Sequence, residues 1–127
     1  MSPRDQRNAV VIEDDAGIRG LIAAVLERAG LRVVTAANGR DGVAAVRGSN
    51  PVVITVDMRM PGIDGIETIK RIRAISDALI VVVSAVTAAH QEDESLAAGA
   101  DLYMTKPFRP RDLQKCVDER LEALRDA

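Results

Sequence analysis

Several side chains that could handle a metal ion or a phosphate group stand directly after short apolar runs of the sequence. They are Glu13, Asp14, Asp15, Asp57, Ser84 and Lys106. Crowded carboxylates repel one another, and a divalent cation that prefers oxygen ligands, such as Mg2+, relieves the repulsion. A hydroxyl and an ammonium beside them suit contacts to phosphoryl oxygens. If these residues share one edge of the fold, they predict a site for Mg2+ and a phosphoryl group.

Each of these residues also has a plainer interpretation when it is considered alone. Glu13-Asp14-Asp15 is compatible with a solvated loop, and Asp15 suits a helix cap. Asp57 alone is typical of a strand end or turn, and Lys106 alone is typical of a surface lysine. Ser84 alone carries almost no information. The functional interpretation therefore depends on their convergence.

Asp57 has the context that most favours covalent chemistry. It ends a strongly apolar run and precedes a Pro61-Gly62 turn that can redirect the chain into a helix. Carboxylates of this kind can accept a phosphoryl group when a metal neutralises the phosphate oxygens. Lys106 could pair with Asp57 before the reaction and with a phosphate oxygen afterwards, and the Ser84 hydroxyl could donate a hydrogen bond to the same group.

The elements that must position these residues alternate along the chain. Short apolar runs flanked by polar or turn-forming residues predict strands over Ala9–Ile12, Leu31–Ala36, Val52–Val56, Ile80–Val83 and Leu102–Thr105. Helices are predicted from Ile18 to Leu26 before Gly30, and over Asp41–Arg47, Ile66–Ile75, Ala89–Ala98 and Arg111–Leu124, with Pro110 in a first turn. Strict alternation predicts a doubly wound α/β fold with a parallel sheet covered on both faces. Ligands of such sheets bind at the carboxyl ends of the strands, where the polar residues lie.

Composition narrows the remaining classes of protein. The 127 residues suffice for one domain, and 2% aromatic content predicts an aliphatic core. A net charge of -2 argues against electrostatic binding of nucleic acid. Cys116 is the sole cysteine, which excludes an internal disulfide, and no apolar run reaches the length of a membrane helix. The beginning Met1-Ser2-Pro3-Arg4-Asp5 lacks the apolar segment of a signal peptide, so we expect a cytoplasmic protein without membrane contact.

Four motifs together resemble the receiver domains of two-component response regulators. They are Val11-Ile12-Glu13-Asp14-Asp15, Asp57-Met58-Arg59-Met60-Pro61-Gly62, Val83-Ser84-Ala85 and Thr105-Lys106-Pro107-Phe108. They occur in the family's order, and the resemblance extends through nearly the whole chain, so residues 1–127 are expected to form one receiver domain. The resemblance implies a flavodoxin-like, five-stranded sheet of order 2-1-3-4-5. It also implies that Asp57 accepts a phosphoryl group from a histidine kinase or a histidine phosphotransfer protein, as a switch and not as an enzyme.

The resemblance also implies roles for individual residues. Asp14 and Asp57 would bind Mg2+ directly with the backbone carbonyl of Arg59, and Glu13 would act through water or from behind the direct ligands. Lys106 and Ser84 would contact the phosphoryl oxygens. Tyr103 matches the aromatic switch position that works with Ser84. The Lys106-Pro107 bond is usually cis in this family, and the fourth helix, fifth strand and fifth helix, roughly 89–124, would bind the downstream target or effector domain.

Three positions depart from, or vary within, the family pattern. Ser84 stands where threonine is commoner, which keeps the hydroxyl but removes a methyl group and alters the coupling of the switch. Arg59 and Val86 stand two residues after Asp57 and Ser84, where family members tune hydrolysis of the acyl phosphate. We hypothesise that both residues shape the access of water.

Some residues are assigned no chemistry, and some alternatives stay open. His90 is expected at the surface, Cys116 in packing, and Arg109, Arg111 and Lys115 on a solvated helix face. A phosphatase with an aspartyl nucleophile is disfavoured because Arg59 stands where its second, acidic aspartate is expected. A flavin or nucleotide carrier is disfavoured because no glycine-rich loop follows the first strand. The sequence leaves open which kinase, stimulus and output the protein has and whether it forms a homodimer. It also leaves open whether the chain is a stand-alone regulator or part of a longer protein.

Overall fold

Strands and helices alternate five times, as the sequence predicts. The computed structural model of the protein describes residues 7–60, 62–85 and 89–126. The elements in chain order are β1 Arg7–Ile12, α1 Ala16–Arg28, β2 Leu31–Ala36, α2 Gly39–Ser49, β3 Val53–Val56, α3 Gly65–Arg73, β4 Leu79–Ser84, α4 Ala89–Ala98, β5 Leu102–Thr105 and α5 Pro110–Asp126. Pro61, Val86 and the first residues Met1 to Asp5, which entered the predictions, lie outside the described residues.

The five strands form one parallel sheet in the order β2-β1-β3-β4-β5. This confirms the predicted order. The chain leaves β1 for β2 on one side and then returns to β3 on the other, so strand order reverses at β1. The carboxyl ends of β1 and β3 therefore flank the crevice where doubly wound sheets bind ligands.

Alternate strand residues supply two separate cores on the two faces of the sheet. On one face Val10, Ile54 and Ile80 pack with residues of α2 and α3. On the other face Val11 and Val81 pack with residues of α1 and α5. Buried strands with apolar residues on both faces are typical of a sheet covered by helices on both sides. The predicted aliphatic core is confirmed, since Val, Ile, Leu and Ala dominate the buried apolar residues.

Side-chain caps fix where the first three helices begin. Asp15 Oδ1 accepts a hydrogen bond from the Ile18 amide at 2.9 Å, which confirms the predicted cap of α1. Asn38 and Asp64 cap α2 and α3 in the same way, each at 2.8 Å. The helix α5 begins at Pro110 as predicted, because a first-turn proline lacks only an amide that has no partner inside the helix.

Several boundaries differ from the predicted ones. The helix α2 begins at Gly39 instead of Asp41, because the side chain of Asn38 caps it. Within α2, a Cβ atom at Gly42 would collide with the side chain of Ile12, so the glycine lets the helix lie close to β1. The strand β4 includes Ser84, so this residue ends the strand instead of following it. In the described residues no helix is both long and apolar enough to cross a membrane.

Candidate functional site

The backbone brings three of the predicted residues to one edge of the sheet. The amide of Glu13 donates to the Ala36 carbonyl at 3.0 Å, that of Asp57 to Ile12 at 3.0 Å, and that of Lys106 to Ser84 at 2.7 Å. Each residue stands one position beyond its own strand, and each bond continues the parallel ladder by one step. The predicted convergence at the carboxyl ends of the strands is therefore present in the structure.

Three carboxylates form a tight cluster at this edge. Glu13, Asp14 and Asp57 each offer an oxygen, and these oxygens all lie within 4.8 Å of one another. Glu13 is 1% exposed and Asp57 is 5% exposed, whereas Asp14 is exposed. Two negative groups are thus held away from water while the third faces solvent. Burial of this kind is unfavourable unless cations or hydrogen bonds compensate the charge.

Lys106 supplies the cation nearest to the buried carboxylates. Its Nζ lies 2.8 Å from Glu13 Oε1 and 3.5 Å from Asp57 Oδ2. The expected neighbourhood of Lys106 and Asp57 is therefore present, but the shorter contact is to Glu13. One ammonium faces three carboxylates, so the cluster keeps an excess of negative charge when all of them are ionised.

The pKa values follow from this arrangement. Burial raises the pKa of the Glu13 carboxyl to about 7, the Lys106 ammonium opposes this rise, and the Asp57 carboxylate adds to it. Burial alone acts to lower the pKa of Lys106, but the Glu13 and Asp57 carboxylates outweigh it and hold that pKa above its ordinary value. Lys106 is therefore charged throughout the physiological pH range, whereas the Glu13 carboxyl titrates near neutral pH.

The two oxygens of Asp57 have different neighbours. Oδ1 accepts a hydrogen bond from the backbone amide of Arg59 at 3.2 Å, and Oδ2 faces the Lys106 ammonium. The Arg59 side chain is exposed. Asp57 is thus oriented by its own loop on one side and by a cation on the other. A carboxylate held in this way has a fixed direction from which it can act as a nucleophile or a metal ligand.

The predicted switch residues lie on the two strands next to Asp57. Ser84 is fully buried and pairs with Thr105 across β4 and β5. Tyr103 is half-buried on β5, packs against the core beneath α2 and α3, and donates a hydrogen bond to Gln91 Oε1 of α4 at 3.2 Å. Tyr103 therefore joins β5 to α4. The Lys106-Pro107 bond is cis, as the resemblance implies.

Arg19 is a contributor that the sequence reasoning missed. Its Nη1 donates to the carbonyl of Glu13 at 3.0 Å and to that of Asp14 at 3.4 Å. The guanidinium of Arg19 thereby ties α1 to the acidic loop. Its position one turn inside α1 was the only available indication, because a bond to backbone carbonyls leaves no trace in residue types.

The residues that were assigned no chemistry lie away from the cluster or at the surface. His90, Arg109, Arg111 and Lys115 are exposed. Cys116 is partly buried, and burial raises the pKa of its thiol, with smaller contributions from Glu119 and Asp112. A raised pKa lowers the thiolate fraction and agrees with a packing role.

The donor set fits a hard divalent cation. All three candidate ligands are carboxylate oxygens, and neither sulfur nor nitrogen ligands accompany them within the described cluster. Mg2+ prefers oxygen ligands and usually needs few carboxylates, since it keeps several of its waters. The excess negative charge beside Lys106 is the physical reason for a cation at this place.

Comparison with known proteins agrees with the fold. The family description "Response regulator receiver domain" matches residues 9–118, and the chain belongs to this family. AfsQ1, a transcriptional regulatory protein of Streptomyces coelicolor, is 38% identical over 115 residues, which cover 91% of this chain and 49% of the relative. YrkP, an uncharacterized transcriptional regulatory protein of Bacillus subtilis, is 40% identical over 112 residues, which cover 88% and 48%. The chain spans about half the length of these relatives.

Solved structures give the same result. A CheY-like receiver domain protein from Methanospirillum hungatei superposes with a TM-score of 0.88 at 25% identity and covers 95% of this chain and 98% of the other. The chemotaxis protein CheY4 of Vibrio cholerae has a TM-score of 0.82 at 30% identity and covers 90% and 98%. The predicted family and fold are therefore confirmed.

Proposed function

We propose that this chain is a phosphorylation-controlled switch in which Asp57 accepts a phosphoryl group from a histidine kinase or a histidine phosphotransfer protein. The observation that carries the proposal is the position of Asp57 beside the Lys106 ammonium and in one cluster with the Glu13 and Asp14 carboxylates. A nucleophile, a cation for the phosphoryl oxygens and an acidic metal site are thus within reach of one another. Membership of the receiver family supports the same conclusion.

Apart from the Mg2+ ion, the transfer uses groups that the chain and the donor supply. An Asp57 carboxylate oxygen attacks the phosphorus of the phosphohistidine, and a phosphorus–oxygen bond forms. The phosphorus–nitrogen bond breaks, and its electron pair stays on the imidazole of the donor. Lys106 turns from the carboxylates to a phosphoryl oxygen, and the hydroxyl of Ser84 donates to another. Both contacts stabilise charge that the carboxylate alone would repel.

We assign Mg2+ to Asp14 and Asp57, together with the backbone carbonyl of Arg59, and Glu13 supports the ion through water or from behind the direct ligands. Bound Mg2+ supplies charge neutralisation for the phosphoryl oxygens during transfer. The chain's own residues do the rest: Glu13 and Asp14 hold negative charge at the edge, and Arg19 fixes the loop that carries them.

We infer that the chain acts as a switch and not as an enzyme that turns over. Rapid release of the phosphoryl group needs a general acid or base beside the acyl phosphate. Position 59, two residues after Asp57, carries an exposed arginine instead of an acid. We assign to Arg59 and Val86 the role of limiting the access of water to the acyl phosphate, which keeps its hydrolysis slow.

We assign the output to the face of α4, β5 and α5. Ser84 and Tyr103 form the route to it, because Tyr103 already links β5 to Gln91 of α4. A shift of Ser84 toward the phosphoryl group frees space that the Tyr103 ring can enter. The downstream target or an effector domain then recognises the changed surface.

The cellular setting of the switch follows by analogy. The relatives are named transcriptional or DNA-binding regulators, and the match covers about half of their length. We propose that residues 1–127 form one cytoplasmic receiver domain that contacts proteins and makes no direct contact with nucleic acid or membrane. A homodimer is left open by this assignment.

Incubation with a small phosphodonor and Mg2+ tests the function. Wild type should gain one phosphoryl group per chain in an intact-mass measurement, and hydroxylamine should remove it, because acyl phosphates are cleaved by hydroxylamine and phosphate esters are not. Asp57→Asn should gain none. Asp64→Asn is a matched control, because asparagine keeps the capping oxygen of α3.

Phosphorylation that persists in Asp57→Asn would overturn the assignment of the acceptor. Many turnovers of a generic phosphate ester would instead favour the phosphatase. Flavin absorbance of the purified protein would favour the carrier.

A further inference from the structure

A groove between α2 and α3 is unusually basic for a chain whose net charge is -2. It encloses about 430 Å³ and lies away from the acidic cluster. Its lining consists of Arg40, Val43, Ala44, Arg47, Arg71, Ala74 and Ile75. We call it the α2–α3 groove. Arginines surround a floor of small apolar side chains, which is a combination suited to an acidic helical surface.

The charges of this groove are largely uncompensated within the part of the chain that the structure describes. Arg71 pairs with Glu67 one turn earlier at 2.9 Å. Arg40 and Arg47 are exposed and make no ion pair with a described residue. They stand seven residues apart on α2, which places them about two turns apart on the same side of the helix. Ile75, one of the lining residues, is 40% exposed.

The same face of the molecule carries the opposite charge on α4. Glu92, Asp93 and Glu94 are exposed, and α4 contains no lysine or arginine. None of these carboxylates is ion-paired with any residue in the described ranges. The helix α3 lies between the other two and contacts both. The three helices therefore lie side by side, with exposed arginines on α2, exposed side chains of both charges on α3 and exposed carboxylates on α4.

We propose that two copies of the chain associate through the face of α2, α3 and α4, about a two-fold axis that runs alongside α3. Such an axis brings α2 of one copy opposite α4 of the other, and it does so twice. The arginines of each groove then meet the carboxylates of the other copy's α4. The helix α3 lies beside its own copy along the axis, where it exposes Glu67 and Lys70.

A second copy fits better than an unrelated acidic partner for two reasons. The complementary charge is already present on the adjacent helix of the same face, and the arrangement closes with two equal contacts, as isologous dimers do. The proposed dimer face, made of α2, α3 and α4, shares only α4 with the output surface of α4, β5 and α5. Association here leaves β5 and α5 accessible to a target.

Sedimentation velocity over a range of protein concentrations tests the proposal, without a phosphodonor. Wild type should show a reversible monomer–dimer equilibrium that weakens as salt increases, because salt screens exposed charges. Arg40→Glu with Arg47→Glu should weaken association about tenfold or more, and Asp93→Lys with Glu94→Lys should do the same. An equimolar mixture of the two double variants should restore association to within a few-fold of wild type, since each helix then meets its opposite charge.

Glu27→Lys with Arg28→Glu is the matched control, because it reverses two exposed charges on α1 at the other side of the sheet. It should associate like wild type. The single change Arg47→Glu repeats the test if a double variant is poorly folded by circular dichroism. A wild type that stays monomeric throughout would overturn the proposal. So would a dimer that the charge reversals leave unchanged, or a mixture that stays monomeric.

Discussion

The ammonium of Lys106 lies closer to Glu13 than to Asp57, at 2.8 Å against 3.5 Å. The sequence placed all three residues at one edge, because parallel strands end together. It predicted the pairing with Asp57 but not the closer contact to Glu13, since that contact depends on which way two flexible side chains turn. The contact of Arg19 with the acidic loop escaped prediction for the same reason.

Replacing Lys106 with alanine should separate metal binding from phosphoryl transfer. Among the described residues, Lys106 is the one cation that forms ion pairs with Glu13 and Asp57, so the change leaves the cluster more negative. We therefore expect Mg2+ affinity to be kept or increased, while the rate of phosphorylation falls about tenfold or more, because the phosphoryl oxygens lose an ammonium contact. Intact-mass kinetics and a Mg2+ titration by calorimetry measure the two effects.

Lys115→Ala is the control for this change, because it removes an exposed lysine of α5. It should alter neither quantity. A Lys106→Ala protein that is phosphorylated at the normal rate would contradict the contact between Lys106 and the phosphoryl group. Weaker Mg2+ binding in the same variant would contradict the electrostatic argument.

Cys116 provides a pH prediction that is independent of the acidic cluster. Burial, then Glu119 and Asp112, raise the pKa of its thiol. The folded pKa therefore lies above the unfolded one, so the associated stability is present below the unfolded pKa and is lost as pH rises through the folded pKa. Alkylation by iodoacetamide should need a higher pH in the native protein than in urea. Glu119→Gln should move the native profile toward lower pH, and coincident native and urea profiles would contradict the prediction.

At the scale of elements, the alternation of apolar runs predicted every strand and helix, but not all their ends. Gly39 and Gly42 look like helix breakers in isolation, yet both lie within α2 and are buried. Gly42 is needed because α2 passes over Ile12 too closely for a Cβ atom. Propensity is a local property, and this requirement arises from a distant strand, so the sequence alone could not indicate it.

Arg73 joins elements that are far apart in the chain. Its guanidinium donates to the carbonyls of Ser76, Ala78 and Gly99 and pairs with Asp101 at 2.9 Å. The same Asp101 carboxylate accepts from the Ile80 amide at 2.8 Å. The end of α3, the start of β4 and the turn after α4 are therefore held by one side chain. Nothing in the residue types around position 73 predicted this network.

Arg73→Ala should lower the free energy of unfolding by roughly 2 to 4 kcal/mol, because several backbone carbonyls lose a charged donor at once. Urea denaturation measures the change. Arg71→Ala is the matched control, since the Arg71 pair with Glu67 is about half exposed and such pairs contribute only about 0.5 kcal/mol. Equal losses in the two variants would show that the Arg73 network contributes no more than a surface ion pair.

At the scale of the whole molecule, the folded state gathers charges that the unfolded chain keeps apart. Glu13 and Asp14 are adjacent in sequence, but Asp57 joins them only when β1 and β3 pair. A divalent cation bound at this cluster has no equivalent site in the unfolded chain. Binding at this edge should therefore raise global stability by the linkage between binding and folding.

Mg2+ should increase the unfolding free energy of wild type by about 2.7 kcal/mol when its concentration is 100 times the dissociation constant. Asp14→Asn weakens the site by removing its exposed carboxylate, and a tenfold loss of affinity leaves about 1.4 kcal/mol at the same Mg2+ concentration. Asp15→Asn is the matched control, because Asp15 caps α1 and lies outside the cluster, and asparagine caps equally well. Urea denaturation with and without Mg2+ measures each increase. Without Mg2+, Asp14→Asn and Asp15→Asn should have similar unfolding free energies, but Mg2+ should stabilise Asp15→Asn more than Asp14→Asn. An equal increase in both variants would show that Asp14 is not a metal ligand.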